Sequence, residues 1–275
     1  MKKILRFTAF ACIAALLFSA CTKQVKDTVV KEEVSATTLA QIKNMGFGTD
    51  GVQKASGGYL VEGDIFIPEA DLGLQPSSPH MIIAQEEQYR TFNLVNSSTY
   101  PTIKVALNNS SSSHQAAFSA ALDNAIARYN AQSLRIRFQR VTSGANTTVT
   151  AYYEVSNTLG FAGFPTSSGA PYNQVQMNTY HYSTSTSSTN VNYLATIMAH
   201  ELGHCIGFRH TDYMNRSYSC GTGGNEGQST TGVGAVHIPG TPTGPSSASW
   251  MLACVGSGVN RPFNSSDRTA LAYVY

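Results

Sequence analysis

Apolar positions along the chain fall into two periods, and the switches between them outline the elements. Tyr59 to Ile67 reads as a short strand bounded by Gly and Pro. T-I-K-V-A-L (102–107) alternates as a strand does, and a serine-rich turn leads from it to a predicted helix spanning about Ser113 to Ala131. In that helix Phe118, Ala121, Leu122, Ala125, Ile126 and Tyr129 recur at three and four residues, the helical period. L-R-I-R-F-Q-R-V (134–141) alternates strictly, T-V-T-A-Y-Y (148–153) comes next as another strand, and beyond a Gly-rich loop (156–173) Gln174 to Tyr182 is a fourth. Residues 191–208 are apolar and long enough for a buried helix, whereas Gly, Ser, Thr and Pro from 211 to 249 predict little regular structure. Strand, helix, more strands, then a second helix and loops is an α+β arrangement with no internal repeat.

The N-terminal end has a different pattern. Lys2, Lys3 and Arg6 precede an apolar run from Phe7 to Phe18, with small residues Ser19 and Ala20 directly before Cys21. That run is too short to cross a hydrocarbon layer of ~30 Å, and charged head plus small-residue exit is the build of a signal peptide, residues 1–20. F-S-A-C resembles a bacterial lipobox, which makes Cys21 the candidate lipidation site and 21–38, charged and without aromatics from 22 to 36, a tether. The expected product lies outside the cytoplasm, anchored by lipid or secreted. A small N-terminal segment (39–95) comes next, broken by a Pro/Ser cluster at Gln75 to Pro79, and the main domain is 96–275.

Charge narrows the partners. Charged residues make up 12% of the chain, about half the ~25% usual in soluble proteins. The net charge of +2 falls to −1 without residues 1–20, and the remaining basic residues are scattered, which predicts no nucleic-acid partner. Of five cysteines, Cys205, Cys220 and Cys254 lie in the main domain, enough for one disulfide with three pairings open.

Chemistry concentrates in H-E-L-G-H-C-I-G-F-R-H (200–210). On a helix His200 and His204 share one face and can hold one cation at ~2.0–2.1 Å, while Glu201, turned by ~100°, can reach a water there without filling the ion's shell. Two histidines leave a tetrahedral ion short, and His210 is the candidate third ligand. In a continuing helix it would lie ~9 Å further along and ~240° around. Gly207 can end the helix with a positive φ and turn the chain back. The rival third ligand, Glu226, sits in a loop rather than on the second helix such sites use.

H200-E-x-x-H-x-x-G-x-x-H210 resembles the metzincin metallopeptidase signature, and A-H-E-L-G-H-C-I-G-F-R-H-T-D-Y is similar to the bacterial HEIGH-type metallopeptidases, over about residues 100–275. The resemblance implies a twisted, mostly parallel sheet with two main helices and a loop-rich C-terminal subdomain. It also implies one catalytic zinc, with S-W-M (249–251) as the methionine turn and Met251 as the floor under the histidines. An exposed strand edge at Gln176, Met177 and Asn178 would pair with an extended substrate. Two positions depart from the astacin pattern, Thr211 for Glu and Ala253 for Tyr. Tyr213 and Tyr218 read as ordinary core or surface tyrosines, Cys205 as structural, and Asp212 as a solvated loop residue with a supporting role at a histidine as the alternative.

V-E-G-D-I (61–65) resembles the F-E-G-D-I motif of astacin pro-segments, whose aspartate occupies the zinc in the inactive precursor, so Asp64 is a candidate zymogen ligand. The expected activity is therefore a zinc endopeptidase acting on extracellular proteins or peptides, with Glu201 as general base. The alternatives are a surface lipoprotein that keeps the fold as a binding module, and an amidase acting on cell-wall peptides.

Overall fold

Ser35 begins the regular structure by accepting a hydrogen bond from the Thr38 amide at 3.1 Å, capping helix α1 (Ala36–Asn44). The computed structural model describes residues 33–72, 88–108, 112–222, 224–225, 234–242 and 244–275. The signal peptide, Cys21, the Pro/Ser cluster at 75–79 and Glu226 lie outside the described residues. Residues from Glu33 to Tyr275 form one unit, and no helix among the described residues is long and apolar enough to cross a membrane.

After α1 come strands β1 (Gln53–Ala55), β2 (Gly58–Val61) and β3 (Ile65–Pro68). The single strand expected at 59–67 is thus a hairpin, because Glu62 and Gly63 take φ values of 55° and 91° and reverse the chain. A short β4 (Tyr89–Arg90) precedes β5 (Thr102–Asn108) and helix α2 (Gln115–Asn130), whose six periodic apolar residues are all buried. Strands β6 (Arg137–Arg140), β7 (Thr147–Tyr152), β8 (Gly160–Ala162) and β9 (Gln174–Asn178) lead to helix α3 (Ser188–Cys205). One helical turn α4 (Ser217–Cys220), the short strand β10 (Val236–His237) paired with β4, and helix α5 (Ser265–Val274) complete the chain.

One eight-stranded sheet runs β1-β2-β3-β8-β9-β7-β5-β6. Pairs β6/β5, β5/β7 and β7/β9 are parallel, β8 is antiparallel to β9, and β3 lies parallel to β8 through Ile65 and Ala162. Helices α2 and α3 pack with the sheet around Ile103, Val105, Phe118, Leu122, Val149, Val175, Leu194 and Met198, all fully buried. A second, smaller core gathers Ile42, Phe47, Tyr59, Val61, Ile65 and Ile67 of residues 33–72 against Phe164.

One further expectation changes. The 174–178 strand is not an edge, since β7 and β8 flank it on either side. Strand β8 has no signature in the sequence, because three residues inside a glycine-rich loop carry no readable period. Its outer side is in turn covered by β3, where the Ala162 amide donates to the Asp64 carbonyl at 2.9 Å. Among the described residues of 211–249 only α4 and β10 are regular, as their composition suggested; α5 lies beyond that stretch, carries no earlier expectation, and starts with a capping box between Asn264 and Asp267.

Candidate metal centre

Helix α3 presents His200, Glu201 and His204, and the turn after Cys205 decides whether His210 can join them. Gly207 takes φ 104°, the Phe208 amide donates to the Gly203 carbonyl at 2.9 Å, and the Gly207 amide donates to that of His204 at 2.9 Å. This is a Schellman end, closed by a left-handed residue. A side chain at 207 would also lie 2.9 Å from the Asn93 carbonyl oxygen, so both conformation and space call for glycine. The chain returns, and His210 lands beside the other two, with ring centroids 5.3 Å from His200 and 4.9 Å from His204.

The ring tautomers are set by fixed partners. Nδ1 of His200 donates to the Trp250 carbonyl and Nδ1 of His204 to the Phe208 carbonyl, each at 2.8 Å. A carbonyl can only accept, so each Nε2 carries a lone pair aimed inward. Those two Nε2 atoms stand 3.1 Å apart. Asp64 Oδ2 reaches in from the β2–β3 turn, 3.0 Å from His210 Nε2 and 3.4 Å from His200 Nε2. Four such atoms on a tetrahedral ion with ~2.0–2.1 Å bonds would stand ~3.3 Å apart. The observed spacings match those of four ligands sharing one cation. The ligand atoms of Asp64, His200, His204 and His210 all lie within 4.8 Å of one another, a group able to hold a metal ion.

Electrostatics agree with the geometry. Burial alone would push the Asp64 carboxyl up, but His210, His200 and His204 hold it well below its ordinary range. Burial, then His200 and His210, pushes His204 down, keeping its imidazole neutral. Glu201 is 2% exposed, and burial with Asp64 nearby pushes its carboxyl up. Its Oε2 and Asp64 Oδ1 are buried without a hydrogen-bond partner among the described residues. Gly160 makes room for Glu201, whose Oε1 would be 3.2 Å from a side-chain carbon at that position.

Met251 is fully buried with its sulfur against Gly203, the residue before His204, and its carbonyl accepts from the amide of Thr211, the residue after His210, at 2.9 Å. A small cavity of about 30 Å³ opens beside His200, walled by Ile197, Trp250, Leu252, Val255 and Arg261. The disulfide is Cys220–Cys254, and Cys205 is buried and free. Asp212 is neither solvated nor at a histidine. It is 1% exposed, and accepts from the Ala253 amide at 3.0 Å and from Ser219 Oγ at 2.5 Å, tying the methionine turn to α4. Tyr213 is core, edge-on to Tyr89 at 4.3 Å, and Tyr218 is 47% exposed.

Several contributors were invisible in the sequence. Trp250 serves through its backbone, which no residue type signals. Asp267 accepts from Gln88 Nε2 at 2.7 Å, Ser249 Oγ at 2.9 Å, the Asn264 amide at 2.9 Å and the Trp250 amide at 3.3 Å, fixing the methionine turn to α5. Its N-x-x-D spacing before an apolar run was the available clue. Glu62 and Arg209 form a buried ion pair at 3.0 Å beside the histidines. Arg209 sits inside the motif, but nothing local marks a partner 147 residues away.

A mostly parallel α+β sheet over which a helix carries H-E-x-x-H, with a third histidine turned back to the same point, defines a zinc-dependent peptidase acting on proteins or peptides. Within that class, residues 73–275 match the dual-action HEIGH metallo-peptidase family, and the chain belongs to it. A solved structure of myroilysin is similar at 16% identity and a TM-score of 0.39, covering 63% of this chain and 92% of that one. No curated protein matches.

Proposed function

We propose that this protein is a latent zinc endopeptidase in which His200, His204 and His210 are the ligands, Glu201 is the general base, and Asp64 blocks the site until residues 33–72 are released. One observation carries the reading: the carboxylate of Asp64 stands with the three histidines where a fourth ligand belongs, delivered by a hairpin that also covers the free side of β8. Zinc, when bound, makes water more acidic and polarises the carbonyl of the peptide bond. Glu201 takes a proton from the attacking water as its oxygen bonds to the carbonyl carbon. The C–N bond then breaks, and the same proton goes to the leaving nitrogen. Burial favours this shuttle, because a carboxyl pushed up holds a proton more readily.

Once β3 has left, β8 is the exposed edge on which an extended peptide could form backbone hydrogen bonds, in place of the edge expected at 176–178. The lipobox-like F-S-A-C supports action outside the cytoplasm from a lipid anchor at Cys21.

The test is zinc content and casein cleavage of the chain from residue 22 onward, before and after limited proteolysis, with Glu201→Ala and Asp64→Ala beside it. Expected are bound zinc in all, little cleavage by the intact chain, a rise after proteolysis or in Asp64→Ala, and none in Glu201→Ala. Asp64→Ala activity equal to that of the intact chain would remove the latency reading, and cleavage by Glu201→Ala would remove the base.

A further inference from the structure

We propose that Phe164 is a specificity-determining residue: in the released enzyme its ring receives an aromatic or other large apolar side chain of the substrate, and Phe47 holds that place while residues 33–72 remain attached. This rests on the reading that the segment blocks the site and is released.

The ring is shared between the segment and the metal centre. Phe164 follows the end of β8 by two residues and belongs to the main domain. Yet it packs with the smaller core, whose other described members, from Val34 to Leu72, all come from the segment. The Phe47 ring, 2% exposed, lies nearly parallel to that of Phe164, with centroids 6.2 Å apart and planes at 8°. The His204 imidazole stands 5.4 Å from the same ring and almost perpendicular to it, at 86°. Both distances fall within the ~4.5–7 Å at which aromatic pairs attract. Release of the segment therefore takes the parallel ring away and leaves Phe164 beside a metal ligand.

Position gives the ring its meaning. Asp64 brings its carboxylate to the histidines while its carbonyl accepts from the Ala162 amide of β8 at 2.9 Å. A peptide that takes over this backbone bond and lies across the metal meets Phe164, two residues along the chain from Ala162. Burying a phenylalanine side chain shifts an equilibrium by roughly 10–100-fold, so a substrate side chain that restores the lost contact gains up to that much over one that ends at Cβ. An aromatic wall uncovered next to the reacting centre, with polar groups converging on the metal, is the build of a binding subsite.

The test uses the zinc-loaded full chain after activation by limited proteolysis. Values of kcat/KM are compared for peptide sets that differ only by Phe, Leu or Ala at each position flanking the cut bond, in the unaltered chain, in Phe164→Ala and in Phe164→Leu. Binding of the same peptides, labelled, to the activated Glu201→Ala chain is measured alongside. Expected is a preference of about tenfold or more for Phe over Ala at one position, with a matching difference in binding, and a Phe-to-Ala ratio that collapses towards one in Phe164→Ala. In Phe164→Leu, which keeps an apolar wall without a ring, Phe should lose about two- to tenfold against Leu. Should Phe164→Ala not fold, Phe164→Leu and the peptide sets on the unaltered chain still decide. An active chain with Phe, Leu and Ala within twofold at every position, or a preference that survives unchanged in the variants, overturns this inference and leaves the latency reading intact; a chain still inactive after proteolysis overturns both.

Discussion

Gly203→Ala sets two effects of similar size against each other, and the local distances decide which wins. In a buried helix the exchange should gain ~1 kcal/mol of helix propensity. Here the added carbon would lie 2.6 Å from Met251 Sδ, 3.1 Å from Trp250 Nε1 and 3.3 Å from the Tyr129 hydroxyl. Carbon contacts prefer ~3.5–4.0 Å, so the methionine must retreat by ~1 Å. Overpacking of this kind costs ~1–3 kcal/mol, leaving a net loss of up to ~2 kcal/mol and, at ~2–4 °C per kcal/mol, a fall in Tm of up to ~8 °C. The larger consequence is for the metal. Trp250 receives the His200 Nδ1 hydrogen bond at 2.8 Å, and disturbing such a partner weakens metal binding by ~10–100-fold. Thermal unfolding of the metal-free protein and zinc competition against a chromophoric chelator measure the two effects separately. Met251→Ala in the same chain removes the clash, so the double variant should lose at least ~1 kcal/mol less than the two single losses combined. A higher Tm with unchanged zinc affinity would show that Met251 does not lie under Gly203, and the account of the methionine turn would fall.

Three further outcomes rest on single contacts. Asp267→Asn sets an amide NH₂ against two of the four donors around Asp267, at a cost of ~2–6 kcal/mol in urea unfolding. Burial holds this carboxyl above its ordinary 3.8, so its contribution is fullest in acid and declines as pH rises through the folded-state value. The gap to the variant should accordingly narrow as pH rises from about 4 through the raised folded-state value, and a gap that widens would contradict the assignment. Cys220 and Cys254 close a loop with a separation of 34 residues, so reduction should cost ~4 kcal/mol, seen as a lower Tm with reductant, while Cys205 stays unreactive to thiol reagents until unfolding. Tyr129→Phe removes a hydroxyl that donates to the Ala199 carbonyl at 2.7 Å and accepts from Trp250 Nε1 at 3.3 Å; a loss of ~1–3 kcal/mol in urea unfolding is expected, and a neutral result would mean both partners find water.

The sequence by itself determined the parts whose physics is local. Helical period placed α2, with every predicted apolar position buried, and the spacing of His200, Glu201 and His204 placed them on one turn of α3. Gly207 was legible as the helix end because only a residue tolerant of φ 104° can make that turn. The V-E-G-D-I string singled out Asp64, since a carboxylate in a turn can be read where it stands.

Tertiary structure alone decided the rest. Whether β9 is an edge depends on β7 and β8, whose pairing hydrogen bonds are made by backbone and leave no mark on residue type. The disulfide partner of Cys254, the carbonyls that orient His200 and His204, and the carboxylate against Arg209 are likewise long-range facts. A pattern along the chain records which side of an element is apolar; it does not record which distant element comes to lie against it.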